Sequence, residues 1–456
     1  MTDARVGVGV RRPNRTFLRR VLPRSPRAAV MAAWRLHHDL LSNAGSLVVS
    51  TGVASLLGVV YWMFATRLFS QRAVGYGSAA VSVMTLLGTI GMLGLGTLLI
   101  GELPRRSSRA GLVSAALLTC GLGSLILGLG FAVVAPHVSV NFANMIGTPG
   151  RGAVFVAGVA VTAVTLVFDQ ATIGLMRGGL QLGRNIAFAL AKVLVLPAAA
   201  IVLHDQFGAG ITLSWVAGMA LSLVLVAIRL YFAGEPVLPR PDWGVLRGLG
   251  KTAMAHNWLN LAMTMPFYLL PVLVTVIVSP SANAAFYIAA MLTTFLFVVP
   301  AHLSTALFAV VAADPRVVAK KLRFALRVSF IIGIPGMAVL VLGAHLALGL
   351  FGKGYTVATV PMWLITLGYP AAVPKSLYIA VCRASGKITR AAVVLTACSS
   401  VEIAAAAAGG IAGGLYGLSL ALLAVRYAEA LVTTPPVLRT AFGQSRRPVI
   451  PVSSRR

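Results

Sequence analysis

Acidic residues are scarce in this chain: 10 Asp and Glu stand among 456 residues, against 38 Lys and Arg. Charged residues of both signs make up only 11%, where a soluble domain carries about 25%. One large water-soluble domain is therefore excluded. Cysteine is nearly missing too. Cys120, Cys382 and Cys398 lie in or beside apolar segments, which leaves neither a disulfide framework nor a zinc-ligand spacing. No P-loop, HExxH or CxxC pattern occurs, so no metal, cofactor or catalytic residue is expected. A cleavable signal peptide is not expected either, because the first 43 residues hold nine arginines and no long apolar core.

What the chain has is apolar length. Hydrophobic residues make up 58% and the mean hydropathy is +0.90, which excludes a disordered chain. A helix needs about 20 apolar residues to cross a bilayer core of about 30 Å. Twelve such segments can be drawn, at 44–66, 75–100, 111–134, 152–175, 186–203, 210–232, 253–278, 285–311, 324–346, 357–381, 391–408 and 415–434. Backbone groups in hydrocarbon must bond within their own segment, so these runs are helices. The expectation is an all-α polytopic membrane protein with about 12 transmembrane helices.

The basic residues fix an orientation. Twelve spans put both termini on one side, and Lys and Arg favour the cytoplasm. With the termini cytoplasmic, only Arg67, Arg72, Arg151 and Lys353 fall outside, and Lys192 falls within a span. All other Lys and Arg lie at the inner side. Orientation thus accounts for the net charge of +28, and nucleic acid is not needed as a partner. The tails at 1–43 and 435–456 are basic and suit contact with anionic membrane lipid, at about 1 kcal/mol per basic residue near the surface.

The connection 233–251 (AGEPVLPRPDWGVLRGLGK) is the longest internal one and divides the chain into lobes at 44–232 and 252–434. A shift of 211 lays Ser70, Tyr76 and Arg105 over Ser281, Tyr287 and Arg316, and a shift of 206 lays Arg177 and Arg184 over Arg383 and Arg390. Two six-helix lobes that enter the membrane the same way would enclose a central cavity near the midplane.

A charge deep in a bilayer costs about 2.5–3.5 kcal/mol on insertion scales, so each needs a reason. Asp169 is eight residues before Arg177 and Lys192 eight after Arg184. Equal depth, about 12 Å from the cytoplasmic end, makes an Asp169–Lys192 ion pair the expectation, structural or as part of an ion site. Lys375, between Pro370 and Pro374 and Arg383, either snorkels inward or faces the cavity. Glu402 has no close partner in sequence, which suits either a protonated carboxyl, making it with Asp169 an ion-coupling candidate, or a helix-contact role. Arg426 and Glu429 are spaced i, i+3 for a local salt bridge. His256, Asn260, Thr264 and Tyr268 recur every four residues beside Pro266 and Pro271, as on a bendable cavity wall or an ordinary interhelical contact.

The longest external connection, 135–151, is short, and Asp205 is the only external acid. This disfavours a membrane glycosyltransferase or polymerase, and any transport must run on an ion gradient, the membrane potential or the substrate gradient.

The stretch YWMFATRLFSQRAVGYGSAAVSVMTLLGTIGMLGLGTLLIGELPR (61–105) resembles the opening of the Wzx-type polysaccharide flippases of the multidrug/oligosaccharidyl-lipid/polysaccharide (MOP) exporter superfamily. It shows Arg67-Leu68, Gly75-Tyr76, Gly88 to Gly96 and Arg105-Arg106 in that family's order. FDQATIGLMRGGLQLGRNIAFALAKVLVLP (168–197) and YIAVCRASGKITRAAVV (378–394) are similar to it as well. The resemblance implies a flippase of the plasma (inner) membrane with a cationic cavity. It would move a polyprenyl-pyrophosphate-linked oligosaccharide, a precursor of lipopolysaccharide or exopolysaccharide, from inner to outer leaflet. Arg67 is the headgroup contact it implies, with Lys192 and Lys375 behind it; as a residue at the outer end of the first span Arg67 equally suits an interfacial anchor, and the stripe read above adds His256 and Asn260 as cavity candidates. Glycosyltransferases or a polysaccharide polymerase would be its partners. A cation-coupled drug or metabolite antiporter of the same fold, MATE-like, is the alternative. A major-facilitator transporter fits less well, since GELPRRSSRAG (101–111) stands where a Gly-x-x-x-Asp-Arg pattern is usual.

Overall fold

A computed structural model describes residues 56–105, 109–203, 207–313 and 317–443; the side chains at 105, 245–253, 255–256, 308–313 and 384 lie outside that description. The basic N-terminal tail, most of the C-terminal tail, Asp205 and the side chain of His256 therefore lie outside the described residues.

Among the described residues every regular element is a helix. The first half holds α1 (Leu56–Leu68), α2 (Gln71–Gly91), α3 (Leu95–Glu102), α4 (Ala110–Val138), α5 (Val140–Ile146), α6 (Pro149–Gly174), α7 (Gly178–Val202) and α8 (Ala209–Phe232). The second holds α9 (Trp243–Leu273), α10 (Pro280–Ala313), α11 (Val318–Gly349), α12 (Thr359–Leu367), α13 (Tyr369–Ala384) and α14 (Ile388–Phe442). Helix α9 begins inside the stretch expected as linker; just ahead of it the amide of Asp242 donates to the carbonyl of Gly111 (3.0 Å), tying the shortened linker to α4.

Nine described helices are long and apolar enough to cross a membrane, and the bent pair Lys353–Leu367 and Tyr369–Arg383 makes a tenth. The 55-residue α14 is two arms broken at Gly413 and Gly414, where Gly414 takes φ 57°, a conformation that costs a residue with a Cβ. Helix α1 is the described part of the first apolar segment. With α14 counted as two arms, eleven of the twelve segments are accounted for among the described residues, residues 44–55 of the first lying outside them, and the chain is a multi-pass membrane protein. Only 17% of the apolar windows of α4 and α11 is buried against protein. Their side chains, such as Ile126, Val133, Leu342 and Leu346, face outward, as lipid contact requires.

The halves share their punctuation. Ser70 accepts from the amide of Ala73 at the start of α2, and Ser279 accepts from that of Ala282 at the start of α10. The α6–α7 turn passes through Met176 (φ 58°) and the α13–α14 turn through Gly386 (φ 68°), 210 residues later. The next amides, of Arg177 and Lys387, each return 2.8 Å to the carbonyl five residues back. The offset of 206 expected for this hairpin is therefore corrected to 210. Arginines sit at both ends of a basic hairpin whatever its register, which is why they misaligned. The corrected offset takes Lys375 away from the position of Asp169 and puts Lys192 and Glu402 at corresponding places.

One end of the bundle carries the 177–184 hairpin and the linker and is called the basic end here. At the opposite end the halves are sealed together. A Cβ on Gly75 would overlap the Pro280 carbonyl, so α2 and α10 cross with their backbones touching, as small residues allow between membrane helices. Asn283 Nδ2 donates to the Gly75 carbonyl (2.8 Å), and Gln71 Nε2 donates to the carbonyls of Ser281 and Gly354 (3.1 Å each). Tyr61, Trp62 and Ile211 pack in one core with Ala284, Ile288, Leu348 and Phe351.

Candidate functional site

A cavity of about 440 Å³ lies between the halves. Gly58, Trp62, Lys192 and Trp215 form the wall from the first half, and α9, α10, α12, α13 and α14 supply the rest. Most of its lining is apolar or aromatic, with a few charged groups converging, as in small-molecule sites of this size.

Lys192 on α7 is 4% exposed. Its Nζ stands 4.2 Å from the centroid of Trp215, 4.6 Å from Phe188 and 4.7 Å from Tyr61. No carboxylate among the described residues lies within ion-pair distance of it. The cage is rigid. Tyr61 Oη and Ser214 Oγ are 2.8 Å apart, and Tyr61 meets Trp62 and Trp215 edge to face at 5.3 and 5.4 Å. Trp62 reaches Tyr287 of the other half at 4.8 Å. Ring faces attract an ammonium, by about 2 kcal/mol or more when water is excluded. They supply no countercharge, so an incoming anion meets no competing carboxylate at Lys192 among the described residues.

The opposite wall is balanced differently. Lys375 Nζ on α13 donates to Glu402 Oε1 and Glu429 Oε2, both at 2.8 Å, and so ties α13 to both arms of α14. Glu429 is 6% exposed, and its Oε1 has no hydrogen-bond partner. One ammonium thus serves two carboxylates. Arg426 takes no part in that pairing: its Nη1 donates to the Ile365 carbonyl (3.3 Å), and its guanidinium lies 5.6 Å from the Phe297 centroid.

Several expectations are corrected. Asp169 does not pair with Lys192. Arg184 Nε and Nη2 bond Asp169 Oδ1 and Oδ2 at 2.9 and 2.8 Å, because the planar fork of arginine matches a carboxylate. Asp169 does not line the cavity. Glu402 has a partner after all, and Lys375 faces it rather than snorkelling. Glu429 bonds Lys375 instead of Arg426. Arg67 is no cavity residue in this conformation: its Nη2 donates to the Leu350 carbonyl (2.9 Å) at the sealed end. Asn260 Nδ2 donates to Thr97 Oγ1 (2.8 Å) on α3, and Asn257 Nδ2 to the Ile90 carbonyl (3.4 Å). Asn260 of the polar stripe thus makes the interhelical contact that was one of its two readings, Thr264 bonds back to the Asn260 carbonyl within α9 (2.9 Å), and Met263, Pro266 and Phe267 face the cavity. Of the charged residues singled out from sequence, Lys192, Lys375, Glu402, Arg426 and Glu429 come together around the cavity.

Sequence reasoning missed the ring cage and the role of Glu429. Phe188 is four residues before Lys192 and so on the same helix face, a signal that was there to be read. Tyr61 and Trp215 come from distant helices and leave no local trace.

No protein-family profile matches the chain. No curated protein matches it either. Solved structures do. One is the inward-facing conformation of a multidrug resistance transporter of the MATE family, MOP superfamily, with TM-score 0.65, 13% identity, and coverage of 85% of this chain and 94% of that one. Another is the outward-facing conformation of such a transporter, with TM-score 0.60, 14% identity and coverage of 88% and 95%. A third is a MOP superfamily transporter from Pyrococcus furiosus, described as having a binding pocket of reverse polarity, with TM-score 0.57, 14% identity and coverage of 88% and 96%. The chain therefore has the fold of MOP-superfamily transporters.

Proposed function

We propose that this chain, built on the MOP transporter fold, is a flippase for a polyprenyl-pyrophosphate-linked oligosaccharide. It would work in the plasma membrane with both termini and the basic end cytoplasmic. The observation that carries the reading is Lys192: a buried lysine with no carboxylate partner among the described residues, held by aromatic rings on the wall of an interlobe cavity. A pyrophosphate joined to sugars cannot cross hydrocarbon alone. Lys192 supplies a charge-assisted bond to it, and the Trp62 and Trp215 faces offer apolar surface to the C–H face of a sugar ring. The polyprenyl tail stays in the bilayer.

Flipping then requires the cavity to change the side on which it opens. The α2–α10 crossing and the Arg67 and Gln71 bonds close the far end. Loading takes place from the basic end, and release follows when that closure is exchanged for one at the other end. Glycosyltransferases on the cytoplasmic face would supply the substrate.

A second reading, cation-coupled antiport, is favoured by one observation. Two carboxylates share Lys375, and Glu429 Oε1 is left over, so the cluster can take up a proton or cation. The experiment that separates the readings is depletion of the protein from its own cells. Lipid-linked oligosaccharide accumulating in the inner leaflet is the expected result. Intact polymer export with no accumulation contradicts the flippase reading.

A further inference from the structure

A second cavity, of about 480 Å³, lies at the basic end of the first half and shares no residue with the interlobe cavity. Val164, Phe168 and Leu175 of α6 form its floor, and α4 and α8, which both pack on α6, form its walls. Val113 and Leu117 of α4 and Leu223 and Ala227 of α8 line it and are only half-buried, so the groove is not sealed. The linker lies across it as a strap of Pro236, Val237, Leu238 and Pro239. The two prolines bring no amide donor that apolar surroundings would leave unsatisfied. Three ties fix the strap. The chain leaves α8 through Gly234 (φ 68°) with the Glu235 amide returned to the Leu230 carbonyl (3.0 Å), Glu235 pairs with Arg177, and the Asp242 amide bonds the Gly111 carbonyl.

The ionisable residues that line the groove are Arg109, Arg177 and Glu235. Arg109 is exposed, and the Arg177 side chain keeps 46% of its surface. Arg240 and Asp242, next along the linker, offset each other, as do Asp169 and Arg184. Among the described residues the mouth therefore keeps one positive charge beside an apolar interior. Basic pockets between membrane helices on the cytoplasmic side take anionic lipid headgroups.

We propose that this groove binds an anionic phospholipid, with one acyl chain between α4 and α8 and the phosphate on Arg109 and Arg177. Charge-assisted bonds from two guanidinium groups suit a phosphodiester, whereas a zwitterionic lipid brings its own cation to a mouth that is already positive. The site is distinct from the basic tails and does not depend on the flippase reading. Because its strap is the connection between the halves, a bound lipid steadies that connection on the first half.

The test uses the purified full chain in nanodiscs, with phosphatidylglycerol or phosphatidylcholine carrying a diazirine in the same acyl chain, and reads the labelled positions by peptide mass spectrometry. Labelling of Leu117, Phe168 and Leu223 is expected to be at least fivefold stronger with phosphatidylglycerol, while Leu342 and Leu346 on the outward face of α11 label equally with both. Arg109→Gln with Arg177→Gln should bring the phosphatidylglycerol signal in the groove down to the phosphatidylcholine level. Ala227→Phe, which fills the groove without touching a charge, should remove labelling there by both lipids. Equal labelling of the groove by the two lipids in the unaltered protein overturns the proposal, and this arm needs no variant to fold. A preference that survives both variants overturns it too. So does loss of the phosphatidylglycerol signal on adding an equimolar polyprenyl monophosphate, which would assign the groove to a polyprenyl chain instead.

Discussion

Arg184 closes a two-bond ion pair on Asp169 across the α6–α7 hairpin, and that pair keeps the only described aspartate in the membrane segments of the first half away from the cavity. Arg184 is almost fully buried, so neither charge can be left alone at low cost.

Neutralising one partner, as in Asp169→Asn or Arg184→Gln, is expected to cost about 3–5 kcal/mol of stability, because the other charge stays buried. The reciprocal exchange D169R with R184D should recover much of that loss. Thermal unfolding in nanodiscs measures both. Full stability of either single variant contradicts a structural role for the pair.

Lys375 holds two carboxylates at 2.8 Å each. Lys375→Met leaves both without their ammonium and should lower stability by a similar amount, about 3–5 kcal/mol. Adding Glu402→Gln should restore part of it. If K375M unfolds at the temperature of the unaltered protein, the cluster carries no structural weight.

At the sealed end, Arg67→Ala with Gln71→Ala removes three bonds between the halves. In a chain lacking Cys120, Cys382 and Cys398, a cysteine at position 283 should then react several-fold faster with an impermeant maleimide added from that side. An unchanged rate means those bonds do not hold the closure. Gly75→Leu, which forces α2 off the Pro280 carbonyl, should raise the rate further.

Much of the architecture was legible in the sequence. Twelve apolar runs are dictated by bilayer thickness alone, and the break between the last two coincides with Gly413–Gly414. Side-chain partners were not legible at the same level. Depth along adjacent helices pairs Asp169 with Lys192 as well as with Arg184, and only the rotation of α7 decides: it turns Arg184 toward α6 and Lys192 toward Trp215 of α8. The i, i+3 spacing of Arg426 and Glu429 was outweighed by Lys375, whose ammonium two carboxylates share from different arms of α14. Such choices depend on helix rotation and crossing, which hydropathy does not record.

Lys192→Gln should fold normally, since its cage is tied together by ring contacts and the Tyr61–Ser214 bond, yet lose a charge-assisted bond of about 1.5–3 kcal/mol to the headgroup. That is roughly a 10- to 100-fold fall in transport, with Lys192→Arg retaining part of it.

The most direct measurement reconstitutes the purified chain in proteoliposomes holding a polyprenyl-pyrophosphate-linked saccharide and follows its arrival in the opposite leaflet by lectin or enzyme accessibility. Translocation well above protein-free vesicles, falling 10-fold or more with K192Q, is the predicted result. A rate equal to that of empty vesicles, or one indifferent to the charge at position 192, would contradict the account.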